Sequence, residues 1–167
     1  IYCSSEAHSS IEKAVKMAGY GRQALVKVEC DDSLAMSPEN LRRHITQDIS
    51  SGYIPLCVVA ALGTTGTLAI DPLKPVADIC RQFDLWLHVD AAFAGTALVL
   101  PEHRWMIKGI KHADTFVFNP HKWMFTNFDC DCFYVADRAA LVKTLSILPE
   151  YLRNKATESG AVIDYRD

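Results

Sequence analysis

The sequence predicts an α/β layer fold with a mainly parallel sheet flanked by helices. Helical and strand periods alternate along the chain. The best strand candidates are short apolar runs: Pro55 to Leu62, as a strand buried on both faces should be, and Leu85 to Val89, a second buried strand. Polar or small residues follow each of three strands at once: Gly63-Thr64-Thr65-Gly66, Asp90-Ala91-Ala92-Phe93 and Asn119-Pro120-His121-Lys122. In open α/β sheets ligands sit beyond the carboxyl ends of the strands, so these clusters are expected to converge on one sheet edge.

The elements follow in order. The opening residues read as a strand or turn. A first helix is expected from Ser10 to Ala18, closed by Gly19. Ala24 to Cys30 alternates, placing Ala24, Val26, Val28 and Cys30 on one strand face. Ser37 then caps a helix with Pro38 at its first position, and Leu41, Ile45 and Ile49 supply its apolar face. After the Pro55–Leu62 strand, Asp71-Pro72 opens a helix that buries Leu73, Val76, Ala77, Cys80 and Phe83. Leu85 to Val89, Thr115 to Phe118 and Cys132 to Val135 read as further strands, and Asp137 caps a helix through Leu145. Residues 148–167 are polar and irregular and read as a long loop, of the kind that carries function. The first residue is Ile1 and no stop signal closes the chain, so a central piece of a larger protein is expected.

Half of the 167 residues are apolar and the formal net charge is -3, which fits a globular core and offers no basic nucleic-acid patch. No partner nucleic acid or membrane is expected. The longest nearly unbroken apolar run, Ile54 to Leu62, is too short to span a bilayer, and no signal-peptide pattern opens the chain. The six cysteines form no C-x-x-C pair, and Cys3, Cys57 and Cys80 read as small buried hydrophobes in a reducing, cytoplasmic setting. His103, His112 and His121 recur at a spacing that fits no helix or strand face, so no metal site is expected. No phosphate-binding glycine motif supports nucleotide binding.

Two residues carry the chemistry. Lys122 follows an Asn-Pro-His turn and precedes apolar Trp123-Met124-Phe125. Poor solvation there favours the neutral amine, the form that attacks an aldehyde to give a Schiff base. Alone, the residue reads better as a snorkelling surface lysine. Asp90 ends an apolar strand before small residues, where an unpaired carboxylate is costly and needs a cation. A protonated pyridine would supply one and could act as an electron sink. A structural hydrogen bond would also account for Asp90 by itself.

The segments His88-Val89-Asp90-Ala91-Ala92-Phe93-Ala94-Gly95, Asn119-Pro120-His121-Lys122-Trp123 and Asn127-Phe128-Asp129-Cys130 resemble the group II pyridoxal-phosphate (PLP) decarboxylases. Within that group the chain is most similar to the aromatic-L-amino-acid decarboxylases, whose substrates include tyrosine, DOPA and tryptophan. The likeness runs from Ser4-Ser5-Glu6-Ala7-His8-Ser9-Ser10 to Asp164-Tyr165-Arg166-Asp167.

The resemblance implies the fold type I PLP-dependent transferase fold. It implies a partial large-domain core over residues 1–147, the start of a mobile catalytic loop over 148–167, and a homodimer. It further implies that Lys122 carries the cofactor, Asp90 pairs with its pyridine nitrogen, and Thr65 contacts it. Asn119 would bond its phosphate, with His121 beside it. His8 would stack on the ring and reach the substrate carboxylate, although alone it reads as a helix cap. Tyr151 falls at the loop tyrosine expected to protonate the substrate carbon, and could serve a partner subunit's site. Related aldehyde synthases resemble a phenylalanine there, so Tyr151 favours amine release. Phe93 departs from the frequent tyrosine of the family. His121 argues against histidine as substrate, and the segment at Asn127 argues against glutamate. The implied reaction is decarboxylation of an aromatic L-amino acid to an arylalkylamine and carbon dioxide. An aromatic acetaldehyde synthase or a silent fragment are the alternatives.

Overall fold

Strand and helix alternate as the apolar patterns require. The computed structural model describes residues 1–145 and 155–159. Its strands are β1 (Tyr2–Ser4), β2 (Val26–Val28), β3 (Cys57–Ala61), β4 (Trp86–Asp90), β5 (Thr115–Phe118) and β6 (Cys132–Val135). They form one sheet in the order β2-β1-β3-β4-β5-β6. The pairs β1/β2, β1/β3, β3/β4 and β4/β5 are all parallel, as expected. The helices are α1 (Ser9–Met17), α2 (Pro38–Ser50), α3 (Leu73–Phe83), α4 (Pro120–Trp123), α5 (Arg138–Leu145) and α6 (Lys155–Glu158). Residues Ile1–Tyr134 form one compact unit and Val135–Asp167 a second.

Parallel register puts directly paired residues on the same face. Val58 pairs with Leu87 and Ala60 with Val89, and this face is fully buried in the main apolar cluster. Leu41 and Ile45 of α2 join it, with Leu73, Val76, Ala77, Ile79 and Cys80 of α3. Removing each large side chain from water contributes about 1.5–3 kcal/mol. The other face carries Val59, Ala61, His88, Asp90, Thr115 and Val117, which pair as Val59–His88–Thr115 and Ala61–Asp90–Val117.

Helix boundaries follow local chemistry. The Ser37 hydroxyl accepts the Asn40 amide and Pro38 opens α2. In the second unit the Asp137 carboxylate accepts the Ala139 and Ala140 amides before α5. Asp71 is not a cap: it is buried, and its two oxygens accept the amides of Met36 and Ala61, both at 2.7 Å. One carboxylate therefore ties the start of the α2 segment to the end of β3. Burial pushes its pKa up to about 6, the two amide bonds only partly opposing.

Several expectations need correction. Ile49 is 47% exposed. A spacing of four residues drifts about 40° around a helix at each step, so the third residue leaves the face that Leu41 begins. The Ala24–Cys30 strand shrinks to Val26–Val28, because Arg22–Ala24 winds into a 3-10 turn. β4 is buried on one face only, and Trp86 remains 40% exposed. The Asn-Pro-His-Lys turn is a full helical turn, α4. Residues 95–112 hold three 3-10 helices that no periodicity announced. Lys155–Glu158 is helical within the expected loop and Ser159 follows in a turn; the rest of that loop lies outside the described residues, as does the expected domain boundary at 147.

All six cysteines are free, with Cys57 half-buried rather than buried. Among the described residues no helix is long and apolar enough to cross a membrane, and no cluster of three metal-ligating side chains occurs.

Candidate active site at the strand tips

The carboxyl ends of β3, β4 and β5 lie side by side, and the polar clusters after them meet in one cavity of about 440 Å³. Ala61, Gly63, Thr64 and Thr65 come from β3 and its loop. His88 and Asp90 come from β4, Val117 and Asn119 from β5, and Lys122 from α4. His8 and Ser10 close it from the start of α1. Gly63 makes the β3 turn possible: its φ is +84°, and a Cβ there would stand 2.3 Å from that of Ala94.

Lys122 is half-buried, and among the described residues its amine has no hydrogen-bond or ion-pair partner. Proline at the first position of α4 fixes the turn, and the Lys122 amide bonds to the Asn119 carbonyl at 3.0 Å. Asp90 is half-buried. Its Oδ1 accepts the Ala92 amide at 3.0 Å, and its other oxygen has no partner among the described residues. An uncommitted amine and an uncommitted carboxylate oxygen thus share one cavity.

His8 is both a cap and a wall. Its Nδ1 accepts the Ser10 amide at 3.2 Å at the start of α1, and the Ser10 hydroxyl lies 2.9 Å from the same nitrogen. A nitrogen that accepts an amide bond holds no proton, so Nε2 is the ring's donor. The two threonines divide their work. Thr64 is buried, and its hydroxyl is spent on Thr67 and the Ala69 amide. Thr65 is exposed at the cavity.

Asn119 lines the cavity, donates one amide hydrogen to Asp131, and keeps a buried Oδ1 without a partner among the described residues. The structure does not bring His121 to the cavity wall. Its Nδ1 accepts the Cys130 amide at 3.0 Å, and its ring meets Phe128 edge-on at 4.7 Å. Since that nitrogen carries no proton, its 3.7 Å approach to Asp131 is not an N–H···O bond. His121 braces the loop from Asn119 to Cys130 instead. Phe93 packs edge-on against Trp123 at 5.0 Å. Tyr151 lies outside the described residues.

Among the titratable wall residues, sequence reasoning assigned no site role to His88 and Asp131. His88 could have been found, because it sits two residues before Asp90 on the same strand face. Burial lowers its pKa, with Asp90 partly opposing. Asp131 carried no such signal, since the bend that returns it to Asn119 is irregular.

The whole chain, residues 1–167, matches a family model described as the pyridoxal-dependent decarboxylase conserved domain. It is 45% identical over its full length to tyrosine/DOPA decarboxylase 2 of Papaver somniferum, covering 32% of that relative. It is 43% identical, again over its full length, to phenylacetaldehyde synthase of Petunia hybrida, covering 33%. Among solved structures, Oryza sativa TDC with PLP and tryptamine superposes with a TM-score of 0.92 at 37% identity, covering 98% of this chain and 34% of that one. The chain spans about a third of the length of the curated relatives it matches.

Proposed function

The chain belongs to the pyridoxal-dependent decarboxylase family, and from that premise we propose that its full protein decarboxylates an aromatic L-amino acid. The products are the arylalkylamine and carbon dioxide. One observation carries the reading: the Lys122 amine and one Asp90 oxygen, neither partnered among the described residues, line a single cavity at the sheet edge. This donor set fits pyridoxal phosphate, which has an aldehyde for the amine and a basic ring nitrogen for the carboxylate. When bound, the cofactor supplies an electron sink for the bond that breaks.

The side chains do the rest. Lys122 would hold the cofactor through its amine. Asp90 would pair with the ring nitrogen and favour its protonated form. Thr65 would contact the cofactor from the β3 loop, and His8 would stack on it and orient the substrate carboxylate through Nε2. Asn119 would serve the phosphate through the second N–H of its amide, the first being held by Asp131, while His121 holds that loop in place. Tyr151 returns a proton to the substrate carbon. A homodimer, a large-domain core over residues 1–147 and a catalytic loop over 148–167 belong to the same reading. So does a cytoplasmic setting, which the six free cysteines support.

A second reading has a specific observation behind it: the 43% identity to a phenylacetaldehyde synthase. Incubating the full-length protein separately with tyrosine, DOPA, phenylalanine and tryptophan tests both. Amine without hydrogen peroxide is expected; aldehyde with peroxide would replace the decarboxylase reading by the synthase one.

A further inference from the structure

We propose that His88 is held as a neutral imidazole, pinned by Trp86 and Thr115, so that the Asp90 carboxylate stays free for the cofactor's ring nitrogen. The proposal rests on the cofactor reading above.

Three side chains form a line across β4 and β5. The Trp86 Nε1–H donates to Thr115 Oγ1 at 3.1 Å, and that oxygen lies 2.8 Å from His88 Nδ1. An indole can only donate, so Thr115 must accept there. The Thr115 hydroxyl hydrogen has no other acceptor among the described residues, so the arrangement that leaves this buried group satisfied is donation to His88 Nδ1. Nδ1 is then without a proton, and Nε2–H is the donor. An imidazolium would place a second hydrogen in that contact and turn the hydroxyl away. Thr115 is buried and cannot replace the lost bond with water.

The reason for this arrangement lies two residues along. His88 and Asp90 share a face and both line the cavity. A charged His88 would be a built-in cation competing with the ring nitrogen for Asp90. The other titratable groups near it are Cys57 on β3, Asp114 before β5, and Lys122, His8 and Asp131 around the cavity; Phe133 adds an apolar ring at 6.3 Å. Burial opposes charging at His88 more than Asp90 favours it.

The test titrates pyridoxal phosphate into the full-length apoprotein, followed by absorbance, from about pH 5.5 to 8.5, across the usual range of a histidine. Native protein, Thr115→Val and His88→Gln are compared. Gln keeps an acceptor for Thr115 and cannot ionise. The native and His88→Gln curves should agree within about twofold throughout. Thr115→Val, which unpins Nδ1, should match them at about pH 8 and lose about tenfold in affinity towards the acid end. An acid loss in the native protein that His88→Gln abolishes would overturn the proposal, whether or not Thr115→Val folds. So would a Thr115→Val curve that follows the native one, or a loss in His88→Gln at about pH 8. If native protein does not take up the cofactor on Lys122, the cofactor reading fails and this proposal with it. The other outcomes compare variants of a protein that binds, so the two failures are distinct.

Discussion

Asp90 has one oxygen that Ala92 satisfies and one that nothing among the described residues does. The second oxygen gives the residue its use. Asp90→Asn keeps the Ala92 bond and removes the charge. It should lower kcat by about 10²–10³-fold, the typical loss when one preorganised electrostatic partner is removed, with protein stability little changed. Steady-state rates beside a urea melt check this. If Tyr151 has the proposed role, Tyr151→Phe in air should divert product from amine towards aldehyde, ammonia and peroxide, because the substrate carbon is no longer reprotonated and dioxygen can take its electrons, with water releasing the aldehyde; product analysis by chromatography reads the ratio. At this scale the sequence was legible where a residue's neighbours decided its place: Lys122, Asp90, Thr65, His8 and Asn119 all line the cavity. It was not legible where a distant partner decided the hydrogen bonding: Asn119 is engaged by Asp131, and His121 turns to the Cys130 amide. Both depend on how the loop after α4 folds back.

The elements hold these residues through a few backbone devices. Gly63 ends β3 with φ at +84° against Ala94. Gly63→Ala combines a left-handed penalty with overlap, and should destabilise by about 2–4 kcal/mol while displacing Thr65. Urea denaturation and cofactor affinity should fall together. Asp71 gives a pH signature. Its folded pKa, about 6, lies above the ordinary 3.8, so the folded state binds the proton more tightly. The stabilisation from that proton is fully present below about pH 4 and is lost as pH rises through about 6, up to about 3 kcal/mol in all. Asp71→Asn should remove this slope from stability measured between pH 4 and 7. The strands were readable because a short apolar run bounded by polar turns is too brief for a helix and must still be buried. The 3-10 windings of residues 95–112 were not, because they follow turns and α3 rather than any period.

At the scale of the molecule, parallel pairing accounts for a site being here at all. Every crossover between β1 and β5 returns the chain to the same side, so all the strand ends and their polar loops gather at one edge. The chain spans about a third of the length of the curated relatives it matches, and Tyr151 lies outside the described residues. The central claim is that one amine at this edge holds the cofactor. Reducing the cofactor-loaded full-length protein with borohydride and mapping the label by peptide mass spectrometry tests it most directly. The label should sit on Lys122 alone. Label on another lysine, such as Lys108 or Lys111, would contradict it.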